Sequence, residues 1–184
     1  MKKTIILSIC ILMGCGVSSQ AQSFKFGHLN FQELVALMAE SDSAAVKYQK
    51  YVAELQETYD GIEVEYRTKF LEYQQKNATW SAAILETKQQ ELQTLEQRLQ
   101  QFGQTAQQDA QQMQQTLYTP IYQKANEAVK KLGKDQGFTY IFDLSTGPLV
   151  FYNEEHSVNV LPLAKAALGI PAEKVAPTQQ AGAR

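Results

Sequence analysis

His28 and His156 are the only imidazoles in a chain of 184 residues. Neither stands at motif spacing from a Cys, Asp or Glu, so no metal or acid–base constellation can be assembled from local sequence. His28 falls in a strand-like stretch and His156 in a loop, where Glu154 and Glu155 read as a solvated turn. There is no glycine-rich phosphate loop and no G-x-S-x-G nucleophile motif. The expectation is a non-enzyme with no catalytic residue, no cofactor, no metal and no small-molecule substrate. What the chain does must then depend on reach and surface.

The two thiols, Cys10 and Cys15, both lie in the first fifteen residues. Lys2 and Lys3 precede an apolar run from Ile5 to Met13, and Ser19-Gln20-Ala21 supplies small residues before a cut. This is the pattern of a secretory signal, residues 1–21, too short to span a bilayer. Losing Lys2 and Lys3 with it takes the net charge from −2 to −4 and leaves no Cys. The expected product is exported, soluble and held by packing or partners rather than by disulfides. Leu12-Met13-Gly14-Cys15 is a rival cut that would put lipid on Cys15.

The elements behind the signal alternate short strands with long helices. Residues 24–29 read as a strand weakened by Gly27, and Asn30 with Glu33 resembles a capping box for a helix over 31–39. Ser41-Asp42-Ser43 reads as the cap of a long helix. Tyr48, Val52, Leu55, Tyr59, Ile62, Tyr66 and Tyr73 repeat along it in heptads, with Lys69 in the remaining slot. Leu92, Leu95, Leu99, Phe102 and Ala106 form a second seam, followed after a break at Asp109 by Met113. Two such seams predict an antiparallel coiled-coil hairpin, with Asn77-Ala78-Thr79 as its tip and Thr79 capping the return. An arm of about 36 residues would be roughly 54 Å long. Glu63 with Arg67, Glu65 with Lys69 and Glu72 with Lys76 are expected to pair along its solvated side.

The returning arm holds thirteen Gln between Gln89 and Gln115, with few charges and no basic track for nucleic acid. Pro120 should bend this helix where the arm meets the body. Gly137 ends it, residues 138–142 and 149–152 read as a hairpin of strands, and Asn159 caps a last helix that Gly169 stops. Residues 171–184 are small and polar and read as disordered. The body thus comprises residues 22–40 and 118–170, and the arm residues 41–117. A body of that size with strands apolar on both faces needs association of several copies, though composition sets no copy number.

The strand–helix start from Phe24 to Met38, the helical hairpin, and the closing run containing GFTYIFDLSTGPLVFY resemble the Skp/OmpH family of periplasmic chaperones. That resemblance implies an α+β fold: a long antiparallel helical-hairpin arm on a small β body, with strands shared between subunits in a trimer. It implies an ATP-independent holdase that keeps unfolded outer-membrane proteins between its arms. Client contacts are then expected at Phe70, Tyr73, Trp80, Ile84 and Leu85. The shared body is expected to use Phe26, Phe138, Tyr140, Ile141, Phe142, Val150 and Phe151. The best-studied members are strongly basic whereas this chain is acidic, so charge-steered membrane contact is left open. The alternative is a non-catalytic coiled-coil stalk or adaptor of the cell envelope, for which a buried Trp80 would speak.

Overall fold

The computed structural model describes residues 24–147 and 149–176. The signal segment with Cys10 and Cys15, and the last eight residues of the tail, lie outside the described residues. The chain begins with β1 (Phe26–Leu29) and α1 (Phe31–Ala36). Asn30 Oδ1 accepts from Glu33 N at 3.0 Å, which fixes the start of α1 as its sequence predicts. α1 stops at Ala36, three residues short of expectation, because Leu37 and Met38 leave the helix to be buried at the centre of the body. The long helix α2 (Ala39–Lys76) therefore starts before the predicted cap. Ser41 is buried inside it and donates its hydroxyl back to Val35 O, so it ties α2 to α1 instead of capping.

A 3₁₀ turn at Asn77–Thr79 forms the tip, and α3 (Ala82–Asp135) returns. Thr79 does not cap α3. Its hydroxyl donates to Lys76 O at 2.8 Å, and Ser81 precedes α3. The two helices keep one antiparallel register throughout. Glu40 pairs with Lys124 at the root, Tyr59 faces Gly103 midway, and Tyr73 OH accepts from Gln89 Nε2 at 2.9 Å near the tip. Ile62 and Leu95 are the buried points of the seams, which otherwise stay half exposed as a two-helix contact must. α3 continues through Asp109 and past Pro120, so neither residue interrupts it. A proline costs one internal hydrogen bond, and Ile121 and Ala125, both buried in the body, hold that turn of helix in place.

Gly137, at φ +68°, reverses the chain, and Phe138 N donates back to Gly133 O at 2.9 Å. β2 (Tyr140–Asp143) follows, then β3 (Ser157–Asn159) and α4 (Leu161–Ala167). The sheet has the order β2-β1-β3, and both neighbours of β1 run parallel to it. The predicted hairpin is thus incorrect. Residues 149–152 are not a strand, and Val150 and Phe151 stand in a connection, exposed at 98% and 81%. Two parallel strands cannot be joined by a tight turn. The chain after β2 instead crosses to the far side of β1, and Tyr152 packs over His28 with ring centroids 4.6 Å apart. Phe138 also lies outside β2; its ring sits beneath Lys25 Nζ at 4.2 Å and against Gly27. A Cβ at Gly27 would come within 2.9 Å of Val160 Cγ1 and 3.0 Å of Phe138 Cε1, so the glycine is where the sheet meets its helices most closely.

The core joins Leu29, Leu34, Val35, Leu37, Met38, Ile121, Ala125, Leu132, Val160 and Ala164. Val160 holds the N-cap position of α4, and Asn159, one residue ahead of it, accepts from Leu161 N through Oδ1 at 3.0 Å. Beyond Gly169 the chain does not leave the body. Ile170 is buried, and Lys165, itself buried, donates Nζ to Ala172 O at 2.6 Å and Lys174 O at 2.7 Å. Residues 171–176, expected to be disordered, form a strap that Lys174 pins to Asp42 of α2 at 2.8 Å.

Candidate functional site

Two surfaces stand out, one on the arm and one on the sheet. Along the outer half of the arm, polar groups lock the helices together. Tyr66 OH donates to Glu96 Oε1 at 2.7 Å, and Glu91 accepts from Lys88 at 3.1 Å and from Lys69 at 3.2 Å. Lys69 therefore crosses the seam and does not pair with Glu65, whereas the expected Glu63–Arg67 and Glu72–Lys76 pairs form at 2.9 and 3.0 Å. Lys88 and Lys69 hold the Glu91 carboxyl below its ordinary range, Lys76 does the same for Glu72, and the bond to Glu96 raises the Tyr66 phenol. With polar partners inside the seam, part of the apolar side-chain set is left on the outside.

Of the expected contact residues, Phe70 and Ile84 are exposed on opposite helices of the arm. Phe70 stacks on Tyr66, with centroids 5.9 Å apart. Tyr73 and Trp80 come together at the tip, 6.1 Å apart, and each is half buried, as is Leu85. Sequence reading overlooked Val64 and Leu71, which are exposed at 62% and 50%. Their signal was present. They are seven residues apart and both lie off the heptad seam, which places them on one outward stripe of α2. Nearer the root the seam is looser, with a 260 Å³ gap between Val52, Leu55 and Tyr59 on one side and Phe102, Ala106 and Ala110 on the other.

The second surface is the sheet face turned away from the helices. Strand alternation puts Ile141 toward the core and Phe26, His28, Tyr140 and Phe142 on the other side. Phe24, Phe26, Tyr140 and Phe142 form a continuous aromatic row, each ring 6.0–6.4 Å from the next. Tyr140 is 60% exposed, and Phe24 and Phe142 are exposed beside it. An uncovered aromatic face of this kind marks an interaction surface. At its border His28 is buried, with Nδ1 2.9 Å from Ser157 Oγ. His156 is exposed in the turn before β3. The two histidines thus lie near the same strand, and His28 meets a hydroxyl and a phenol ring rather than a carboxylate.

Burial would raise the Asp143 carboxyl. Hydrogen bonds from Ser145 Oγ, Ser145 N and Phe31 N outweigh it and hold the group below its ordinary value, so Asp143 is an anionic staple between β2 and α1. Among the described residues no group of three His, Cys, Asp or Glu could hold a metal ion. Among them, too, no helix is long and apolar enough to cross a membrane.

Residues 25–168 match the family described as outer membrane protein (OmpH-like). The crystal structure of a candidate outer membrane chaperone (OmpH-like) from Caulobacter crescentus CB15 is similar in fold, with a TM-score of 0.66 at 16% identity over 79% of this chain and 83% of that one. Among curated proteins none matches this sequence.

Proposed function

The chain belongs to the OmpH-like outer membrane protein family, and from that premise we propose that it is an ATP-independent holdase of the periplasm that binds unfolded outer-membrane proteins between helical arms. The observation that carries the reading is apolar exposure on α2: Val64 and Leu71 form an outward stripe, and Phe70 is exposed on the flank where it stacks on Tyr66. Val64 and Leu71 lie off the seam that closes the hairpin. They offer small apolar contacts, each worth about 1 kcal/mol after ordering costs, to a chain that lies along the arm. The similarly folded protein from Caulobacter crescentus is a candidate outer membrane chaperone, which agrees with this use of the fold.

Weak contacts hold a client only when several arms act on it together. The aromatic row Phe24–Phe26–Tyr140–Phe142 and the unpaired outer edges of β2 and β3 supply a reason to assemble. In this reading the working unit is a homotrimer, with residues 22–40 and 118–170 as the shared body and 41–117 as the arm. Secretion with loss of residues 1–21 places it in the periplasm. The half-burial of Trp80 against Tyr73 favours a second reading, a structural stalk whose tip meets one defined partner. The test is a refolding assay with an unfolded outer-membrane barrel protein, run beside sedimentation equilibrium of the mature chain. Suppressed aggregation by a trimer without nucleotide is expected. Unchanged aggregation, or a folded monomer at micromolar concentration, would refute the holdase.

A further inference from the structure

A third concave feature lies neither on the outer arm nor on the sheet. It lies at the root, where α2 and α3 leave the body and the strap passes across them, and its volume is about 740 Å³. Leu37, Met38, Leu117, Ile121, Leu168 and Ile170 make its apolar lining. That volume lies within the range of small-molecule sites, and an apolar wall with a few placed polar groups is their usual composition.

The polar groups are of one predominant sign. Lys47, Lys124 and Lys174 reach the cavity, against the single carboxylate of Glu40. Glu40 pairs with Lys124, which keeps its carboxyl ionised, and Asp42, from outside the lining, pairs with Lys174. Lys47 makes no ion pair among the described residues. One uncompensated ammonium therefore stands beside an apolar cavity, in a chain whose net charge is negative. The strap that forms one wall is built to stay. Lys165 is buried to hold the carbonyls of Ala172 and Lys174, and this places Ile170 against the core and Lys174 at the cavity. A buried lysine costs free energy unless its donors are satisfied, so this wall is a specific feature of the fold.

We infer that the root cavity binds a single-chain monoanionic amphiphile of the fatty-acid class, with its aliphatic chain along Leu37, Leu117, Ile121 and Ile170 and its carboxylate at Lys47. One free ammonium selects one negative charge, and the aliphatic lining selects an unbranched chain over an aromatic or polar body. The site is separate from the arm stripe and does not depend on holding activity. It also adds a ligand where sequence reading expected no small-molecule substrate, since nothing at the cavity would transform what binds.

The test uses the full mature chain and titration calorimetry with sodium dodecanoate, kept below its micelle-forming concentration. Saturable binding is expected at one site per chain, weakening about tenfold for every two methylenes removed. Dodecyl maltoside, with the same chain and a neutral head, should bind at least tenfold more weakly. Lys47→Gln should weaken dodecanoate about fivefold. Thr116→Phe, on the exposed face of α3 at the cavity rim, should weaken binding severalfold by placing a ring across the entrance. Both positions are exposed, so an unchanged thermal melt would show that the fold is retained. Hydrogen exchange should slow in residues 39–47 and 170–174 on binding and not on the outer arm. No saturable binding, equal affinity for the neutral amphiphile, or binding unaffected by both substitutions would each overturn the inference.

Discussion

Tyr140 and Ile141 are adjacent in β2 and point to opposite faces of the sheet, so one charge placed at either should break a different level of structure. Ile141 packs on the core, its Cδ1 3.4 Å from where a Cβ on Gly133 would stand. Ile141→Asp removes an aliphatic side chain worth roughly 2–5 kcal/mol in such a place and leaves a carboxylate without a partner. The body should then unfold, and assembly with it. Tyr140 touches mainly Phe26 and Phe142, and 60% of it is open in the single chain. A tyrosine buries about 150–250 Å², so covering the open part in an assembly removes roughly 90–150 Å² from water and contributes about 2–4 kcal/mol per chain. Counted once per subunit, Tyr140→Asp should lower a trimer association constant by at least about four orders of magnitude.

Two measurements separate these outcomes. Sedimentation equilibrium reports the association state, and far-ultraviolet circular dichroism with a thermal melt reports the fold. Tyr140→Asp should give a helical, cooperatively melting chain that sediments as a monomer at micromolar concentration. Ile141→Asp should lose the cooperative melt of the body. If Tyr140→Asp stays fully assembled below micromolar concentration, the aromatic row is not the subunit interface and the proposal about it fails. If both variants behave alike, the alternation of β2 between core and interface is refuted.

Three further outcomes follow from the arm and the strap. Val64→Ser with Leu71→Ser should weaken client holding by about fivefold per side chain with the trimer intact, and raising salt from about 0.05 to 0.5 M should change wild-type affinity by less than about threefold; both are read from fluorescence anisotropy of a labelled unfolded client. Because Lys88 and Lys69 lower the Glu91 carboxyl from 4.5, their stabilisation is complete above that value and is lost as pH falls through the lowered folded value. The melting-temperature gap between wild type and Glu91→Gln should therefore be constant above about pH 6 and close in acid. Lys165→Met should cost about 1–3 kcal/mol in denaturant unfolding and speed hydrogen exchange of the strap, since two charge-assisted bonds to carbonyls are lost.

The helical part of this fold is legible because its signals are local and repeated. The heptads from Tyr48 to Tyr73 and from Leu92 to Ala106 are sufficient for a hairpin, and Asn77–Thr79 marks its turn through residue chemistry alone. Errors arose where a long-range contact outcompeted a local preference. Ser41 has the residue type of a cap, yet the carbonyl of Val35 captures its hydroxyl from the preceding helix. α3 runs on through Pro120, where Ile121 and Ala125 are buried, so the proline is no boundary between arm and body. β3 is three residues, two of them polar, and carries no strand signal of its own. It is a strand because β1 offers a parallel edge, as Phe26↔Ser157 pairing shows. Leu149–Tyr152 carries a stronger strand signal and is not one: the chain leaves the free edge of β2 and crosses to the far side of β1, where Tyr152 packs over His28.

The candidate surfaces divide in the same way. Phe70 and Ile84 were recognisable as apolar residues off a seam, and the same rule applied to α2 as a whole would have found Val64 and Leu71. Three members of the aromatic row, Phe26, Tyr140 and Phe142, are among the expected body residues, whereas Phe24 and the row's geometry are not. Tyr140 and Phe142 share a face by strand alternation, and Phe26 joins them because β1 is the parallel neighbour of β2 in the register Phe26↔Tyr140. The root cavity had no signature at all. Its walls come from residues near 40, near 120 and near 170, and a small polar tail supplies the third wall only because one buried lysine, Lys165, holds two carbonyls of it. A lysine in an Ala-rich helix reads as a solvated charge in any local window. What reverses that reading is burial of the side chain and the two carbonyls that meet its ammonium, a property of the packed body that no stretch of sequence carries.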